Sequence, residues 1–271
     1  MSSLSGGTKE LVSLAIPLTE LAAEAGRLIL SLSKTGFEVR SKADASPVTN
    51  ADVQAEEMLM RGLGLILPGV PVLAEESASC GQYAETSGTF LVIDPLDGTR
   101  EYVAGRPEYT VNIGLVIAGR PALGILAVPA LGRFYRGVPG GGAQRALAEP
   151  GTLPDKHGFT PIATRAQPAL PVALTSRGYN DPMTEAFLDM MAIEKRERLG
   201  SAYKFGLVAE GSADLYVRFG PTMEWDTAAG EALVVAAGGS VLTPEGELLG
   251  YGKVEQDFRN GPFVVWGQPP R

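Results

Sequence analysis

The sequence predicts an α/β (α+β) protein whose helices pack on mixed sheets, and three observations carry that expectation. The second half alternates β-rich runs with helical stretches, a pattern that favours helices laid against a sheet. In the first half, two β-rich runs at 109–118 and 122–128 flank Gly119-Arg120, a good hairpin signal. Ahead of both, residues 11–32 place Leu14, Leu18, Leu21, Ala25, Leu28 and Ile29 at helical spacing.

Taken in order, Pro17 should kink that first helix or begin its main part. Residues 37–42 read as a short strand and Ser46-Pro47 as a turn. Thr49-Asn50-Ala51-Asp52 has the form of a capping box, with Thr49 capping and Asp52 reaching back, ahead of a helix to about Ile66. Pro68-Gly69 ends it, and 70–74 form a strand that runs into Glu75-Glu76. Residues 80–88 are a polar connection. The apolar run Phe90-Leu91-Val92-Ile93 reads as a buried strand that delivers Asp94-Pro95-Leu96-Asp97-Gly98-Thr99, around which the rest is organised.

Residues 134–138 add a strand before the Gly140-Gly141-Gly142 turn. The stretch 144–171 is proline-rich and weakly patterned. It sets a boundary between an α+β half, 1–145, with most of the candidate ligands, and an α/β half, 146–271, that completes the site. In the second half, strands at 172–175, 215–219, 241–242 and 263–266 alternate with helices at 183–191, 202–210 and 227–237.

At 271 residues, 45% hydrophobic and 20% charged, the chain suits one large domain or two halves sharing a core. A net charge of -8 argues against a broad nucleic-acid or anionic-membrane surface. The one cysteine, Cys80, excludes an internal disulfide and a cysteine-rich zinc site, and fits a reducing cytosol. No basic segment followed by an apolar core opens the chain, and no stretch is apolar for long enough to span a bilayer. A cytoplasmic protein is expected.

The candidate chemistry lies in carboxylates at element ends. Asp94 and Asp97 follow a buried strand with nothing cationic between them, and burying like charges is costly unless something neutralises them. Mg²⁺, which favours one or two carboxylates with waters and phosphate oxygens, is the usual remedy. Gly98-Thr99 lets backbone approach a ligand and begins a helix whose N–H groups can face a phosphate.

Each of the other acids has a plainer reading when taken alone. Asp226 at a helix start is an N-cap, Glu75-Glu76 a solvated strand end, and Asp52 the capping-box partner. Together they are four element ends that would have to converge on one pocket. The absences narrow the chemistry further. His157 is the only histidine and reads as surface, Cys80 has no phosphatase-type arginine, and no G-x-x-x-x-G-K-[ST] loop occurs. Asp94 and Asp97 are too far apart for a D-x-D nucleophile pair. A metal-activated water is the leading option.

Leu73-Ala74-Glu75-Glu76-Ser77, Asp94-Pro95-Leu96-Asp97-Gly98-Thr99 and Trp225-Asp226-Thr227-Ala228-Ala229-Gly230 resemble the three signatures of the inositol-monophosphatase superfamily. Further stretches sharpen the likeness: Ser41-Lys42-Ala43-Asp44 with Ser46-Pro47-Val48-Thr49, Gly200-Ser201 with Lys204-Phe205, and Leu215-Tyr216 with Arg218-Phe219-Gly220-Pro221. Together they are similar to the CysQ-type 3'(2'),5'-bisphosphate nucleotidases.

The resemblance implies a layered α/β/α/β/α sandwich, Mg²⁺-dependent hydrolysis of a phosphate monoester, and a homodimer. It assigns Glu75, Asp94, Asp97 and the Leu96 carbonyl to a first metal, and Asp94, Asp97 and Asp226 to a second, two or three Mg²⁺ in all. Thr99 would accept from the attacking water while donating to Asp52 or Glu75, making one of these the general base. The Gly98 and Thr99 N–H groups, with Leu96, Asp97, Ser201 and Asp226, would meet the substrate.

The implied substrate is adenosine 3',5'-bisphosphate, or its sulfated analogue. Lys204 and Arg218 are candidates for its second phosphate, and Ser176-Arg177 a further contact. Their plain reading is two solvent-facing charges. Glu224, beside Trp225, is unexpected: it would repel a second phosphate or pair with Arg218. An inositol monophosphatase or sugar-bisphosphate phosphatase of the same superfamily is the alternative, and a non-catalytic nucleotide binder is a third.

Overall fold

Phe90 to Ile93 is apolar without alternation because its strand is covered on both faces. Leu91 and Ile93 belong to one hydrophobic core, and Phe90 and Val92 to another. The computed structural model describes residues 6–42, 46–83, 85–178 and 181–268. Ala43 and Asp44 of the Ser41–Asp44 stretch lie outside the described residues.

The first half contains helix α1 (Thr8–Thr35), strands β1 (Val39–Ser41) and β2 (Pro47–Thr49), helix α2 (Asn50–Ile66), β3 (Val72–Ala74), and short helix α3 (Glu75–Ser79). Then come β4 (Thr89–Asp97), short helix α4 (Thr99–Val103), β5 (Thr110–Ile117), β6 (Arg120–Val128), β7 (Arg133–Val138), β8 (Gly142–Leu147) and β9 (Thr160–Ile162). The second half continues with β10 (Val172–Ser176), α5 (Pro182–Met190), β11 (Lys195–Leu199), α6 (Tyr203–Ala209), β12 (Leu215–Arg218) and β13 (Thr222–Met223). It ends with α7 (Glu224–Ala236), β14 (Ser240–Leu242), β15 (Arg259–Asn260) and β16 (Phe263–Trp266).

Strands β3 to β9 form one seven-stranded sheet in sequence order, antiparallel except for β3 with β4. A second sheet has the order β11-β10-β12-β16-β14, parallel between β10 and its two neighbours and antiparallel beyond. Helices α1 and α2 cover one face of the larger sheet with Leu18, Ile29, Leu59 and Leu63. Helices α6 and α7 fill the space between the two sheets with Phe205, Val208, Ala229 and Leu233. The outer face of the smaller sheet (Ala173, Leu215, Val217) packs on Leu188 of α5. The order of layers is therefore α/β/α/β/α, as the motifs imply.

Three glycines set how closely α7 lies on the larger sheet. Gly114, Gly124 and Gly137 stand opposite one another across β5, β6 and β7. A methyl group at Gly124 would sit 2.0 Å from the Ala229 carbonyl oxygen, and one at Gly137 would sit 2.7 Å from Leu233 Cα. This glycine track admits the backbone of α7 itself. On the other side of the helix, Phe205 fills the space that a side chain at Gly230 would need. The N-terminus of α7 is thereby held over the end of β4.

Several elements escaped the sequence reading, among them β2, where a turn was expected, and the two-residue strands β13 and β15. The five residues of α3 are too few to show a period, so Glu75-Glu76 is a helix start and not a solvated strand end. Strand β11, Lys-Arg-Glu-Arg-Leu, is mostly exposed at a sheet edge and lacks the apolar alternation of a half-buried strand. Strands β8 and β9 lie in the proline-rich stretch that was read as weakly patterned. We keep the halves 1–145 and 146–271 as a proposed description of the chain; the first sheet itself runs on to Ile162. Helix α7 begins at Glu224, three residues earlier than expected, so Asp226 lies inside its first turn and is not its cap.

Candidate metal and phosphate site

Strand β4 loses register with β5 between Asp94, opposite Asn112, and Asp97, opposite Thr110. Such an irregularity re-aims side chains. The Leu96 N–H donates to Asp94 Oδ1 at 3.0 Å, which closes the turn between the two acids. Gly98 follows with φ +92°, and a side chain there would press on the Glu108 carbonyl and Ser201. From the first turn of α7, Asp226 approaches with its Oδ2 accepting from the Met223 N–H at 2.9 Å. Carboxylate oxygens of Asp94, Asp97 and Asp226 come within 4.8 Å of one another. The convergence that the spacing of the motifs could not prove is present for these three.

Glu75 joins through a side-chain hydrogen bond with Asp94, while its Oε1 is held by Lys42 Nζ at 2.6 Å. Lys42 also binds Glu76 at 2.8 Å. Burial alone would lower the Lys42 pKa, but the two glutamates outweigh it and hold the ammonium charged. The same contact does not bring Glu75 down to its ordinary value. Burial pushes Glu75 up to about 7 against the pull of Lys42, an ammonium it shares with Glu76.

Burial, then repulsion from Glu75, Asp97 and Asp226, raises Asp94 well above the carboxylate range. Asp226 is pushed up to about 7 by burial and Asp97, with Arg218 pulling the other way. Acids this reluctant to ionise side by side, all offering oxygen, suit a hard divalent cation.

Asp52 makes contacts in two directions. Its Oδ2 accepts from the Thr49 N–H at 2.7 Å and the Thr49 hydroxyl at 2.6 Å, as a capping-box residue does. Its Oδ1 accepts from the Thr99 hydroxyl at 2.9 Å, and the Leu96 carbonyl lies 3.1 Å from that same hydroxyl. Burial raises the Asp52 pKa, while hydrogen bonds from Thr49 and Thr99 oppose the rise. One turn along α2, Glu56 accepts from the Glu76 N–H at 2.8 Å, the Ser77 N–H at 2.9 Å and the Ser77 hydroxyl at 2.5 Å. Helix α2 thus grips both the loop bearing Thr99 and the start of α3 bearing Glu75.

The opposite wall comes from the second half. Lys204 lines the cavity but is 1% exposed, so the solvent-facing reading does not hold for it. Its ammonium donates to the Leu199 carbonyl at 3.1 Å and the Ser201 carbonyl at 2.6 Å, and lies 4.8 Å from the Tyr216 ring centre. That pins a turn in which Ser201 adopts φ +51° and the Ala202 N–H meets Asp97 Oδ2 at 2.5 Å. Lys204 therefore orients Asp97 through the backbone. Arg218 is half-buried and donates to the Pro221 carbonyl at 2.9 Å.

Arg177 forms a two-point pair with Glu108 at 2.7 and 3.0 Å, and Ser176 lies beside it on the cavity wall. Glu224 neither repels a substrate nor pairs with Arg218. It is fully buried and accepts from the Gly252 and Lys253 N–H groups at 2.8 and 2.9 Å. The sequence reading missed Glu56, the pairing of Lys42, and Arg100 and Arg106, which face the same cavity of about 340 Å³. Arg100 immediately follows Thr99, and that adjacency was the available signal.

The chain matches the inositol monophosphatase family over residues 10–265. It is 36% identical over 248 residues to the 3'(2'),5'-bisphosphate nucleotidase CysQ of Escherichia coli strain K12, covering 91% of this chain and 96% of that protein. The CysQ of Buchnera aphidicola is 35% identical over 236 residues, covering 86% of each chain. Among solved structures, CysQ from Bacteroides thetaiotaomicron superposes with a TM-score of 0.78 at 33% identity, covering 95% of this chain and 98% of that one. An inositol monophosphatase from Anabaena superposes with a TM-score of 0.73 at 25% identity, covering 95% and 92%. By fold, by the acidic cluster at the end of β4 and by these matches, the chain belongs to the inositol monophosphatase family.

Proposed function

We propose that this chain is a Mg²⁺-dependent 3'(2'),5'-bisphosphate nucleotidase that converts adenosine 3',5'-bisphosphate, and its sulfated analogue, to the 5'-nucleotide and inorganic phosphate. The observation that carries the reading is the meeting of Asp94, Asp97 and Asp226 beside the Thr99–Asp52 pair, at one end of a cavity that arginines line elsewhere. The similarity to CysQ proteins supports the choice of substrate.

Glu75, Asp94, Asp97, Asp226 and the Leu96 carbonyl would hold two or three Mg²⁺. When bound, the ions acidify water and offset the charge of the phosphate. The Thr99 hydroxyl gives its proton to Asp52 Oδ1, which leaves its oxygen lone pairs to receive a proton from the attacking water. The water oxygen bonds to phosphorus, the ester P–O bond breaks, and the departing ribose oxygen takes up a proton from solvent. Asp52 is the better base for it because it is the acid that already holds the Thr99 hydroxyl, while Glu75 is engaged by Lys42 and Asp94. The Gly98 and Thr99 N–H groups, which have no carbonyl one turn back, are placed to meet phosphate oxygens as charge develops. Asp97 is fixed for this work by the Ala202 N–H and, behind it, by Lys204.

No helix among the described residues is long and apolar enough to cross a membrane. A cytoplasmic location and a homodimer belong to the same proposal and rest on the family resemblance. The deciding experiment is phosphate release from adenosine 3',5'-bisphosphate and from inositol 1-phosphate, with Mg²⁺ and with EDTA. Mg²⁺-dependent release that favours the bisphosphate supports the reading. A preference for inositol 1-phosphate refutes the substrate, and full release in EDTA refutes the chemistry.

A further inference from the structure

A substrate with two phosphates needs cations for the one that does not react, and the cavity shows which of its cations are already engaged. The Lys204 ammonium is held by two carbonyls, and Arg177 is held by both oxygens of Glu108. Arg218 donates to the Pro221 carbonyl, and its field acts on Asp226 at the acidic end. Two lining cations differ. The guanidinium groups of Arg100 and Arg106 form no hydrogen bond and no close ion pair among the described residues, and both side chains are exposed at the cavity.

Their placement is as informative as their availability. Arg100 opens from α4, one residue after Thr99, and its Nη1 reaches across to the loop after β10. There it lies 3.9 Å from where a side chain would begin at Gly178. Arg106 lies near enough to Glu108 to help Arg177 lower that acid's pKa. Arg100, Arg106 and Arg177 therefore share one end of the cavity with two carboxylates, Glu101 and Glu108, and leave it net positive. The other end, lined by Glu75, Asp97 and Asp226 with Asp94 behind them, holds more carboxylates than the two cations, Lys204 and Arg218, that line it alongside them. A cavity polarised in this way orients a substrate that carries one phosphate to be cut and another to be held.

We infer that Arg100 and Arg106 bind the non-reacting phosphate of the substrate and set the preference for a bisphosphate over a monophosphate. The inference rests on the proposed nucleotidase reading. A guanidinium presents its donors as a planar fork that matches phosphate oxygens, and Arg100 can close on the ligand from α4 while Arg106 meets it from the following loop.

The test is the ratio of kcat/KM for adenosine 3',5'-bisphosphate to that for adenosine 3'-monophosphate. It is measured at fixed Mg²⁺ and low ionic strength in the wild type, Arg100→Gln, Arg106→Gln and the double variant. Each single variant is expected to lower the ratio about ten-fold, mainly through KM for the bisphosphate, and Arg100→Lys to restore part of it. Both side chains are exposed, and an unchanged Tm verifies folding. A wild-type preference for the bisphosphate that survives in the double variant overturns the inference and leaves the nucleotidase reading standing. A wild type with no preference at all overturns both.

Discussion

Gly124→Ala separates the packing that carries Asp226 from the chemistry of Asp226 itself. The added carbon would lie 2.0 Å from the Ala229 oxygen, 2.8 Å from its carbonyl carbon and 3.0 Å from its Cα. All three are backbone atoms, so no side chain can rotate out of the way. Carbon–oxygen contacts of this kind settle near ~3.3 Å, so α7 must retreat from β6 by roughly 1.3 Å. Overpacking of this sort destabilises by about 1–3 kcal/mol, offset by up to ~1 kcal/mol from the stiffer unfolded chain.

Asp226 rides on the first turn of α7, and a shift of about 1 Å in a reacting geometry can lower turnover on the order of 10²-fold. Gly64→Ala is the matched control. It lies inside α2 with nothing within 4 Å and should stabilise by up to ~1 kcal/mol. Urea unfolding and steady-state kinetics on both variants give the answer. If Gly124→Ala unfolds within about 0.5 kcal/mol of wild type and keeps kcat within two-fold, the glycine track does not position the site.

Asp97→Asn should reduce turnover to background while the circular dichroism spectrum is retained; a variant that still turns over would make that carboxylate structural. Glu56→Gln replaces an acceptor of three hydrogen bonds with a group that sets an N–H against the start of α3. It should raise the Mg²⁺ concentration for half-maximal rate several-fold, and a Mn²⁺ titration followed by electron paramagnetic resonance should weaken in parallel. Lys204→Met should lower kcat on mono- and bisphosphate alike, because Lys204 acts through the Ser201 turn; selective loss on the bisphosphate would return it to the substrate.

In EDTA, Glu75 and Asp226 are acids that burial pushes up to about 7, well above the ordinary range of a carboxylate. Their stabilising share is complete below about pH 4 and is lost as pH rises through 7. The unfolding free energy from urea titration should fall over that window by at least about 3 kcal/mol, and Mg²⁺ should oppose the fall. Equal slopes with and without Mg²⁺ would show that these acids do not bind it.

The acids at the end of β4 and at the start of α7 were legible because each sits in a short motif that resembles a family signature, although each alone has a plainer reading. A bulged Asp-Pro-Leu-Asp and an acid in the first turn of an Ala/Gly-rich helix are visible one motif at a time. The capping box of Thr49 and Asp52 was legible too, since all its contacts lie within three residues. What eluded sequence reasoning depends on separation along the chain. Glu56 caps a helix 20 residues away, and Lys42 reaches across 33 residues to Glu75. Lys204 and Arg218 looked alike as basic residues near motifs, and only packing shows that one is sealed on carbonyls while the other faces Asp226. Glu224 looked ominous beside Trp225 because nothing local reveals that residues 252 and 253 turn back to bind it.

The outer strands of both sheets bear on how this protein tolerates crowding. The larger sheet ends in β3 and β9, three residues each, with Pro161 in the middle of β9. The smaller ends in three-residue β14 and in β11, where Lys195, Arg196, Glu197 and Arg198 stand side by side. A passing chain seeking to extend either sheet meets a ledge too short to template it, a residue lacking an N–H, or a row of charges that would have to be stripped of water. The charged strand that hid from pattern recognition is therefore also a guard against fibril growth, laid directly beside the buried strand β10 that would otherwise be the open edge.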